Sequence, residues 1–384
     1  MSAYDVVIVG GGLIGASAAF ELAKEKLRVL LLDRQETGRE ASWAAAGMLS
    51  PGPESAATLA LVPLAKESFR LYPEFIDTVE EASRRNAAFV REGTLQVFPG
   101  PNGEGHREEM AAEYARFDLP IERISFEAAR RLEASLGPAA RVAAWLPAEA
   151  VADPRCRIDA VIAAGHSCGV EIRENCPVAS VLRESSRCQG VIIATGEKIP
   201  AKHVIVAAGA YSAGIEWLSR FAPTRPIRGQ MLALRSTSLT LGRVVRSERG
   251  YLVPRRDGRI IAGSTLEDSG FAKHLTPGGI RQILDAVLEL VPGLADAEIT
   301  ETWAGLRPGT PDGLPILGPT DIEGLWVATG HYRNGILLAP ATARLMRDWV
   351  LQYPLPVDTS AFSPLRFVPK DSKNRTAKGA SIQS

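Results

Sequence analysis

Two short apolar runs near the start of the chain flank a segment of helical periodicity. Residues 6–9 and 29–32 are continuous aliphatic runs, as expected of parallel strands that are buried on both faces. Between them, Leu13, Ala16 and Ala23 recur at the spacing of one helix face. The pattern predicts a strand, a turn, a helix and a second strand in succession.

The same periodicities continue along the rest of the chain. They predict further helices at 59–85, 104–116, 157–167, 211–220, 278–291 and 336–352. They predict further strands at 94–98, 142–146, 178–182, 203–207, 228–234, 251–254, 259–263, 298–304 and 325–328. Strands of the buried parallel type occur at the start, the middle and the end, with antiparallel patterns between them. One domain assembled from separated pieces, with a second domain inserted, is therefore expected.

Chain length, charge and cysteine content limit the number of domains and the kinds of partner that we expect. A chain of 384 residues usually forms two domains. Lys+Arg and Asp+Glu both number 44, so there is no basic excess that would favour nucleic acid or a membrane surface as partner. The four cysteines, Cys156, Cys168, Cys176 and Cys188, form no CxxC pair and lie beside no histidine cluster. We expect reduced thiols and no metal site.

No segment resembles a targeting or membrane sequence. The apolar run at 6–20 follows Asp5 and is interrupted by glycines, so it is a poor signal peptide. No stretch approaches the ~20 apolar residues of a membrane span. A soluble, cytoplasmic protein is expected. Residues 370–384 are rich in Ser, Lys, Asn and Thr and are predicted to be a disordered tail.

The most specific local motif is glycine-rich. Gly10-x-Gly12-x-x-Gly15 follows the first predicted strand and opens the first predicted helix, and Asp33 ends the second strand. This arrangement binds dinucleotides, with the pyrophosphate at the helix N-terminus and the acid on a ribose. Asp33 would repel a 2′-phosphate, which disfavours NADP despite Arg34. The motif alone leaves NAD and FAD open.

Longer motifs resemble the D-amino-acid oxidase family of flavoenzymes, and within it the glycine oxidases of thiamine biosynthesis. The resemblance covers residues 4 to about 352. It is carried by Ala44-Ala45-Ala46-Gly47-Met48-Leu49, residues 204–212 (VIVAAGAYS), Gly250-Tyr251-Leu252-Val253-Pro254, residues 303–308 (WAGLRP) and residues 330–336 (GHYRNGI).

This resemblance implies a fold, a domain division and a reaction. The fold is α/β: a doubly wound, Rossmann-like FAD domain from 1–80, 146–222 and 306–365, and an α+β substrate domain with a mainly antiparallel sheet from 81–145 and 223–305. An amino acid passes hydride to flavin N5, and dioxygen reoxidises the flavin to give hydrogen peroxide. From glycine the other products are glyoxylate and ammonia.

The resemblance also implies a substrate clamp. Arg307 matches the arginine that binds the substrate carboxylate, and a guanidinium suits that planar group. Tyr251 matches a tyrosine that supports the same carboxylate. Arg333 is expected to add positive charge near the flavin N1–C2=O edge, which backbone N–H groups of residues 333–337 also face. His331 is not expected to be a general base, because loss of hydride from a free amine needs none.

The cofactor is expected to be FAD held without a covalent bond, because no cysteine follows Cys188 to form the late flavin link of sarcosine oxidases. The residues expected to bind it are Gly10, Gly12, Leu13, Ile14, Gly15, Asp33, Arg34, Ala41, Ser42, Ala46, Gly47, Met48, Val178, Ala208, Gly209, His331, Tyr332, Arg333, Asn334, Gly335, Ile336 and Leu337.

Several alternatives stay open at this point. The substrate could be sarcosine, a D-amino acid or proline, since sequence does not measure pocket size. The electron acceptor could be a quinone, as in a dehydrogenase. A non-catalytic flavoprotein subunit is a third reading, disfavoured by the retained clamp residues. A thiazole synthase that accepts the product and a homotetrameric assembly are further expectations from the resemblance.

Overall fold

The computed structural model describes residues 4–369. In that range the α-helices are α1 (Leu13–Lys24), α2 (Ala41–Ala44), α3 (Val62–Ser83), α4 (Gly103–Arg116), α5 (Phe126–Leu132), α6 (Pro154–Ser167), α7 (Pro277–Leu290) and α8 (Gly335–Leu351). The strands are β1 (Tyr4–Val9), β2 (Val29–Leu32), β3 (Met48–Leu49), β4 (Phe89–Val90), β5 (Thr94–Val97), β6 (Glu122–Ile124), β7 (Ala143–Leu146), β8 (Ala150–Ala152), β9 (Glu171–Arg173), β10 (Val178–Glu184), β11 (Arg187–Ile193), β12 (Lys198–Val206), β13 (Arg225–Arg235), β14 (Val244–Arg246), β15 (Tyr251–Pro254), β16 (Ile260–Gly263), β17 (Glu298–Gly309), β18 (Ile316–Pro319) and β19 (Leu325–Thr329).

The first sheet has a parallel centre in the order β9-β2-β1-β12-β19. The antiparallel strands β10, β11 and β18 extend it. Alternate residues of β1 point into two separate cores, Val6 and Ile8 into one, Val7 and Val9 into the other. Burial on both faces explains why these strands are continuously apolar.

The two faces of this sheet are covered differently. Helices α1, α3, α6 and α8 pack with one another on one face. The other face is covered by apolar residues of 215–222 and of the β10–β11 hairpin rather than by α-helices. The carboxyl ends of β1, β2 and β12 remain uncovered, and the cavity described below is built there.

The second sheet has the order β17-β13-β16-β15-β14-β5-β7-β6 and is antiparallel except for the β14–β5 pair. Residues of β13 alternate between its faces: Leu232 packs in a core with α7, and Met231 packs in a core with Ala44 and Ala46. A small third sheet, β3-β8-β4, lies between these units. The α/β architecture with a mainly antiparallel second sheet is confirmed.

One predicted helix is wrong. Residues 211–220 form two short 3-10 helices, Gly209–Gly214 and Leu218–Arg220, instead of one α-helix. Between them the N–H of Glu216 donates to the carbonyl O of Ala179 at 3.0 Å, and Trp217 has a φ of 76°. Pairing with the edge strand β10 therefore overrides the helical periodicity. Of the elements between residues 4 and 369, eight strands (β3, β4, β6, β8, β9, β11, β14 and β18) and the short helices α2 and α5 have no counterpart in the sequence prediction.

Four other expectations have different outcomes. The tail at 370–384 lies outside the described residues, and the predicted domain boundaries stay a prediction. Between residues 4 and 369, no helix is both long enough and apolar enough to cross a membrane. All four cysteines lie in the described range, and each is a free thiol.

Candidate active site

The turn between β1 and α1 leaves no room for side chains at two glycines. Gly10 has a φ of +106°, and a Cβ there would lie 2.5 Å from the carbonyl O of Ala207. A Cβ at Gly15 would lie 1.9 Å from the carbonyl O of Gly10. Both contacts are with backbone, so neither can be relieved by a rotamer change. Glycine at these positions therefore lets α1 pack against β1 and β12.

The N-terminus of α1 is arranged to receive an anion. Its N-cap is Gly12, which supplies no side-chain cap, and its first turn carries no acidic residue. The N–H of Leu13 donates to Ser42 Oγ at 2.9 Å. Residues 12–14 border a cavity, so the positive end of the helix dipole is directed at whatever occupies that cavity.

Asp33 lies at the end of β2 and borders the same cavity. Its Oδ2 accepts from the N–H of Gly11 at 2.7 Å, and its Oδ1 accepts from the N–H of Gln35 at 3.0 Å. Burial raises the pKa of the Asp33 carboxyl, and the two N–H donors oppose that rise. Each oxygen keeps a second lone pair, which is what a ribose hydroxyl requires.

The cavity has a volume of about 340 Å³. The expected cofactor residues that border it are Gly10, Gly12, Leu13, Ile14, Asp33, Arg34, Ala41, Ser42, Val178, Ala208, Gly209, His331, Tyr332, Arg333, Gly335 and Ile336. They come from the first turn, from the ends of β2 and β12, from α2 and the start of β10, and from the turn that leads into α8 together with the start of that helix. The structure thus brings together segments that are up to 326 positions apart in the sequence, from Gly10 to Ile336.

The remaining expected cofactor residues lie elsewhere. Ala46, Gly47 and Met48 border a smaller neighbouring pocket. Asn334 borders an outer cleft, where its side-chain amide donates to Glu54 Oε1 at 3.2 Å. Leu337 is buried in α8 and does not border the cavity. Gly15 acts through the packing of the turn described above.

Other residues border the cavity without having been predicted. They include Glu40, Ala45, Cys176, Pro177, Ala207, Tyr211, Leu306, Pro308 and Thr329. Glu40 and Ala45 flank expected residues in the sequence, so adjacency alone was an available signal. Tyr211 was assigned to a helix, and the wrong secondary structure concealed its position.

The start of α8 is held by two hydroxyls of α3. Pro340 has no N–H to donate to the carbonyl of Ile336, and Tyr72 Oη donates to that carbonyl instead. Ser68 Oγ donates to the carbonyl of Leu337 at 2.6 Å and accepts from the N–H of Ala341 at 3.1 Å. These contacts fix the first turn of α8 relative to α3.

Not every N–H of this segment is free to face a cofactor. The N–H of Asn334 donates to the carbonyl O of His331 at 2.8 Å. The N–H of Asn334 is therefore already paired, and the expectation that N–H groups of residues 333–337 face a flavin stays a prediction for the others. Gly335 and Ile336 start the helix at the border of the cavity, where the unpaired N–H groups of a first turn lie.

His331 is a buried neutral imidazole. It is 4% exposed, and its Nε2 lies 3.0 Å from Thr342 Oγ1. Burial lowers the pKa of His331 to about 3, so the ring carries no charge near neutral pH. The side chain supports the turn into α8, and the expectation that His331 is not a general base stays a prediction.

A second, smaller pocket of about 90 Å³ adjoins the cavity. Its lining residues include Ala46, Gly47, Met48, Gly229, Met231, Tyr251, Ser264 and Arg307. Six residues border both spaces: Ala41, Ala45, Leu306, Tyr332, Arg333 and Ile336. A small molecule in this pocket would therefore contact whatever occupies the near end of the cavity.

Arg307 presents its guanidinium to this pocket without a carboxylate partner. Within residues 4–369 its acceptors are Ser264 Oγ, 2.6 Å from Nη2, and the carbonyl O of Thr265, 3.3 Å from Nη1. A partly buried guanidinium that is bound only by neutral groups retains its capacity for an anion. Ser264 was not predicted, because its contact depends on strand pairing between β13, β16 and β17.

Tyr251 and Arg333 differ in how strongly their side chains interact with other residues. Tyr251 Oη has a weak contact with Met231 Sδ at 3.8 Å. Arg333 Nη1 forms an ion pair with Glu54 Oε2 at 3.1 Å, and its side chain is 48% exposed. Arg333 borders the cavity, the small pocket and the outer cleft. Its charge is therefore partly balanced by Glu54.

These features fit FAD. A helix N-terminus and Asp33 suit the pyrophosphate and a ribose, and the first turn of α8 suits a ring system that becomes electron-rich. For residues 4–369, no cluster of three or more His, Cys, Asp or Glu side chains could hold a metal ion.

Known proteins are similar to this chain in fold and in sequence. The chain is 35% identical to glycine oxidase of Pseudomonas aeruginosa, over 94% of this chain and 98% of that protein. It is 37% identical to the bifunctional protein ThiO/ThiG of Trichormus variabilis, over 91% of this chain. There the chain spans only 53% of the relative, about half its length. The crystal structure of glycine oxidase from Geobacillus kaustophilus superposes with a TM-score of 0.90 at 31% identity, covering 95% of this chain and 99% of that one.

The match to a family model has the same extent. Residues 5–349 match the DAO family, described as FAD dependent oxidoreductase. This range contains the glycine-rich turn, Arg307 and the start of α8. The chain therefore belongs to the DAO family of FAD-dependent oxidoreductases.

Proposed function

We propose that this chain oxidises glycine, or another small amino acid or amine, with dioxygen as electron acceptor. The products from glycine would be glyoxylate, ammonia and hydrogen peroxide. The observation that carries the proposal is the guanidinium of Arg307, which has no acid partner among residues 4–369 and borders a pocket of about 90 Å³ next to the dinucleotide cavity.

The pocket's chemistry supports a small carboxylate substrate. The fork of Arg307 can bind both carboxylate oxygens. The hydroxyl of Tyr251 is held only by a sulfur contact at 3.8 Å, so it can turn to donate to the same group. Met48 and Met231 supply apolar wall, which disfavours a large or charged side chain on the substrate.

The residues of the chain act by position and electrostatics. Bound FAD supplies the hydride acceptor. Arg307 fixes the carboxylate, so the α-carbon and amine lie within the pocket that adjoins the cavity. The first turn of α8 supplies unpaired N–H groups and the positive end of a helix dipole to that cavity. His331 is neutral and bonded to Thr342, which is consistent with a reaction that needs no histidine base.

Arg333 is proposed to add positive charge where the cavity, the small pocket and the outer cleft meet. Its ion pair with Glu54 at 3.1 Å holds the guanidinium toward the cleft. In this position it can attract an anionic substrate before Arg307 binds it.

A peroxide-coupled assay with glycine, sarcosine, D-alanine and D-proline tests the substrate. Glycine is expected to give the highest kcat/KM. The purified yellow protein should also bleach when glycine is added without oxygen. Bleaching without peroxide formation in air would show a dehydrogenase. If none of the four compounds bleaches the flavin, the catalytic proposal is wrong.

A thiazole synthase is proposed to accept the product. The support is the Trichormus variabilis relative, in which the part that matches this chain is joined to a further part of similar length. Co-purification of this chain with a thiazole synthase, or faster thiazole formation in its presence, would support the proposal. Cytoplasmic location and a homotetramer stay predictions, and size-exclusion chromatography with light scattering tests the latter.

A further inference from the structure

A surface aromatic residue, in the connection that follows β16, stacks on a residue that borders the cofactor cavity. We define the strap as residues 264–276, which connect β16 to α7. Phe271 of the strap is 53% exposed, and its ring stacks on Tyr211 at 4.7 Å between centroids with an interplanar angle of 24°. The guanidinium of Arg34 lies 3.7 Å from the centroid of the same Tyr211 ring. Three planar groups thus stack at the border of the cavity.

A second strap residue contacts an acid at the same place. Lys273 Nζ lies 2.6 Å from Glu40 Oε2. The other oxygen, Glu40 Oε1, is buried and has no hydrogen-bond partner among the described residues. Glu40 also borders the cavity. Burial and the nearby Glu40 carboxylate raise the pKa of Tyr211, so the side chains of Tyr211 and Glu40 also interact. No hydrogen bond from a described residue reaches Oε1 itself, and a buried carboxylate oxygen without a donor is costly, so its presence at the cavity points to a donor on the ligand.

The position of these residues indicates which half of the dinucleotide they contact. Arg34 follows Asp33 directly, and Glu40 acts electrostatically on Asp33. Asp33 occupies the place of the acid that binds the adenosine ribose. A ribose hydroxyl can donate the hydrogen bond that Glu40 Oε1 lacks. The adenosine also has a planar ring, which can pack against the stacked side chains at this end of the cavity.

We propose that Glu40 and Tyr211 bind the adenosine half of FAD, and that Lys273 and Phe271 of the strap hold them in place. Glu40 accepts a ribose hydroxyl, and Tyr211 with Arg34 closes the adenosine end of the cavity. Lys273 balances the charge of Glu40, which would otherwise repel the nearby pyrophosphate.

The strap is firmly anchored at its start. Thr265 Oγ1 donates to Glu267 Oε1 at 2.5 Å, and Gln230 Nε2 donates to the same oxygen at 2.8 Å. Arg228 forms an ion pair with Glu267. Both Arg228 and Gln230 belong to β13 of the second sheet. The second sheet therefore contributes to cofactor retention as well as to the small pocket.

The test is the rate at which FAD leaves the holoenzyme, followed by the rise of flavin fluorescence after dilution. Phe271→Ala should release FAD about fivefold faster, from the loss of an aromatic stack. Lys273→Gln should release it about threefold faster, with a smaller difference at high salt. Phe271→Tyr keeps a stacking ring and should behave as the unmodified protein does.

Matched controls separate the strap's contacts from general effects. Leu266→Ala alters a 62% exposed residue of the strap, and Lys202→Gln breaks an exposed ion pair of 2.8 Å with Asp5. Neither should change FAD release. The apoprotein affinity for FMN, which has no adenosine, should also be unchanged in Phe271→Ala. Unchanged FAD release in both strap variants, or an equal loss of FMN and FAD affinity, would overturn the proposal.

Discussion

Gly229 and Arg307 lie on the paired strands β13 and β17, and a Cβ at residue 229 would lie 2.2 Å from Nη1 of Arg307. The absent side chain of Gly229 therefore leaves the space that the guanidinium occupies. The small pocket depends on this pairing, because β13 must carry no side chain where the guanidinium of Arg307 lies.

Gly229→Ala should displace the guanidinium without unfolding the protein. The atoms in the way belong to the end of a flexible side chain, so the unfolding free energy should change by less than about 1 kcal/mol. The KM for the amino acid substrate should rise about tenfold or more, because Arg307 no longer binds the carboxylate in place. Steady-state kinetics and urea denaturation test both parts. Gly278→Ala, where a Cβ meets nothing within 4 Å, is the control; an unaltered KM in Gly229→Ala would contradict the expectation.

Arg307→Ala should raise the KM strongly while the spectrum of the bound flavin stays the same. Loss of a charge-assisted pair with the substrate carboxylate corresponds to about a 10- to 100-fold effect. Arg225→Ala serves as control, because Arg225 lies on β13 in an exposed ion pair with Asp268 and should leave the kinetics unchanged. Unchanged kinetics in Arg307→Ala would remove this residue from the site.

His331 should make the protein less stable as the pH falls. Its pKa is lowered to about 3 by burial in the folded state, whereas an unfolded histidine titrates near about 6.5. Between these values the unfolded state binds more protons, so stability decreases from about pH 6.5 towards pH 3. Protonation of His331 alone lowers the unfolding free energy by up to about 1.4 kcal/mol for each pH unit in this range.

Urea unfolding at pH 7, 6 and 5 measures this slope. His331→Gln keeps a group that can bond to Thr342, and it should show a flatter dependence on pH than the unmodified protein. His166→Gln, at an exposed position of α6, should keep the original slope. Equal slopes in all three proteins would show that His331 does not cause the acid sensitivity.

Tyr72→Phe should destabilise the start of α8. The variant removes only the hydroxyl that donates to the carbonyl of Ile336, and Pro340 cannot replace it. An unpaired buried carbonyl costs about 1–3 kcal/mol, measurable by chemical denaturation of the apoprotein. Tyr353→Phe, at a residue that is 48% exposed, should have no effect. A Tyr72→Phe protein as stable as its parent would mean that water or a helix shift satisfies the carbonyl.

Local sequence was sufficient for the first part of the site. The glycines at 10, 12 and 15 and the acid at 33 lie within one strand–helix–strand unit, although Gly10 also lies against the distant Ala207. Backbone conformation and periodicity are short-range properties, so a pattern of residue types specifies them. The longer motifs around Arg307 and Tyr251 identified the family, although nothing local showed that the two residues share a pocket.

Contacts between distant segments could not be predicted from the sequence pattern. Residues 211–220 have helical periodicity, yet Glu216 pairs with Ala179 of β10 and the α-helix does not form. Glu40, Tyr211 and Ser264 gain their positions only when segments more than 50 residues apart meet.

The strand–turn–helix unit, the dinucleotide site and the family of this protein could all be predicted from residue types and their spacing along the chain. Which residues lie against one another on neighbouring strands, as Gly229 and Arg307 do on β13 and β17 of the second sheet, became known only from the folded chain. The physical reason is that strand register and close approach are set by hydrogen bonds and packing between distant segments. The periodicity of each segment alone does not encode them.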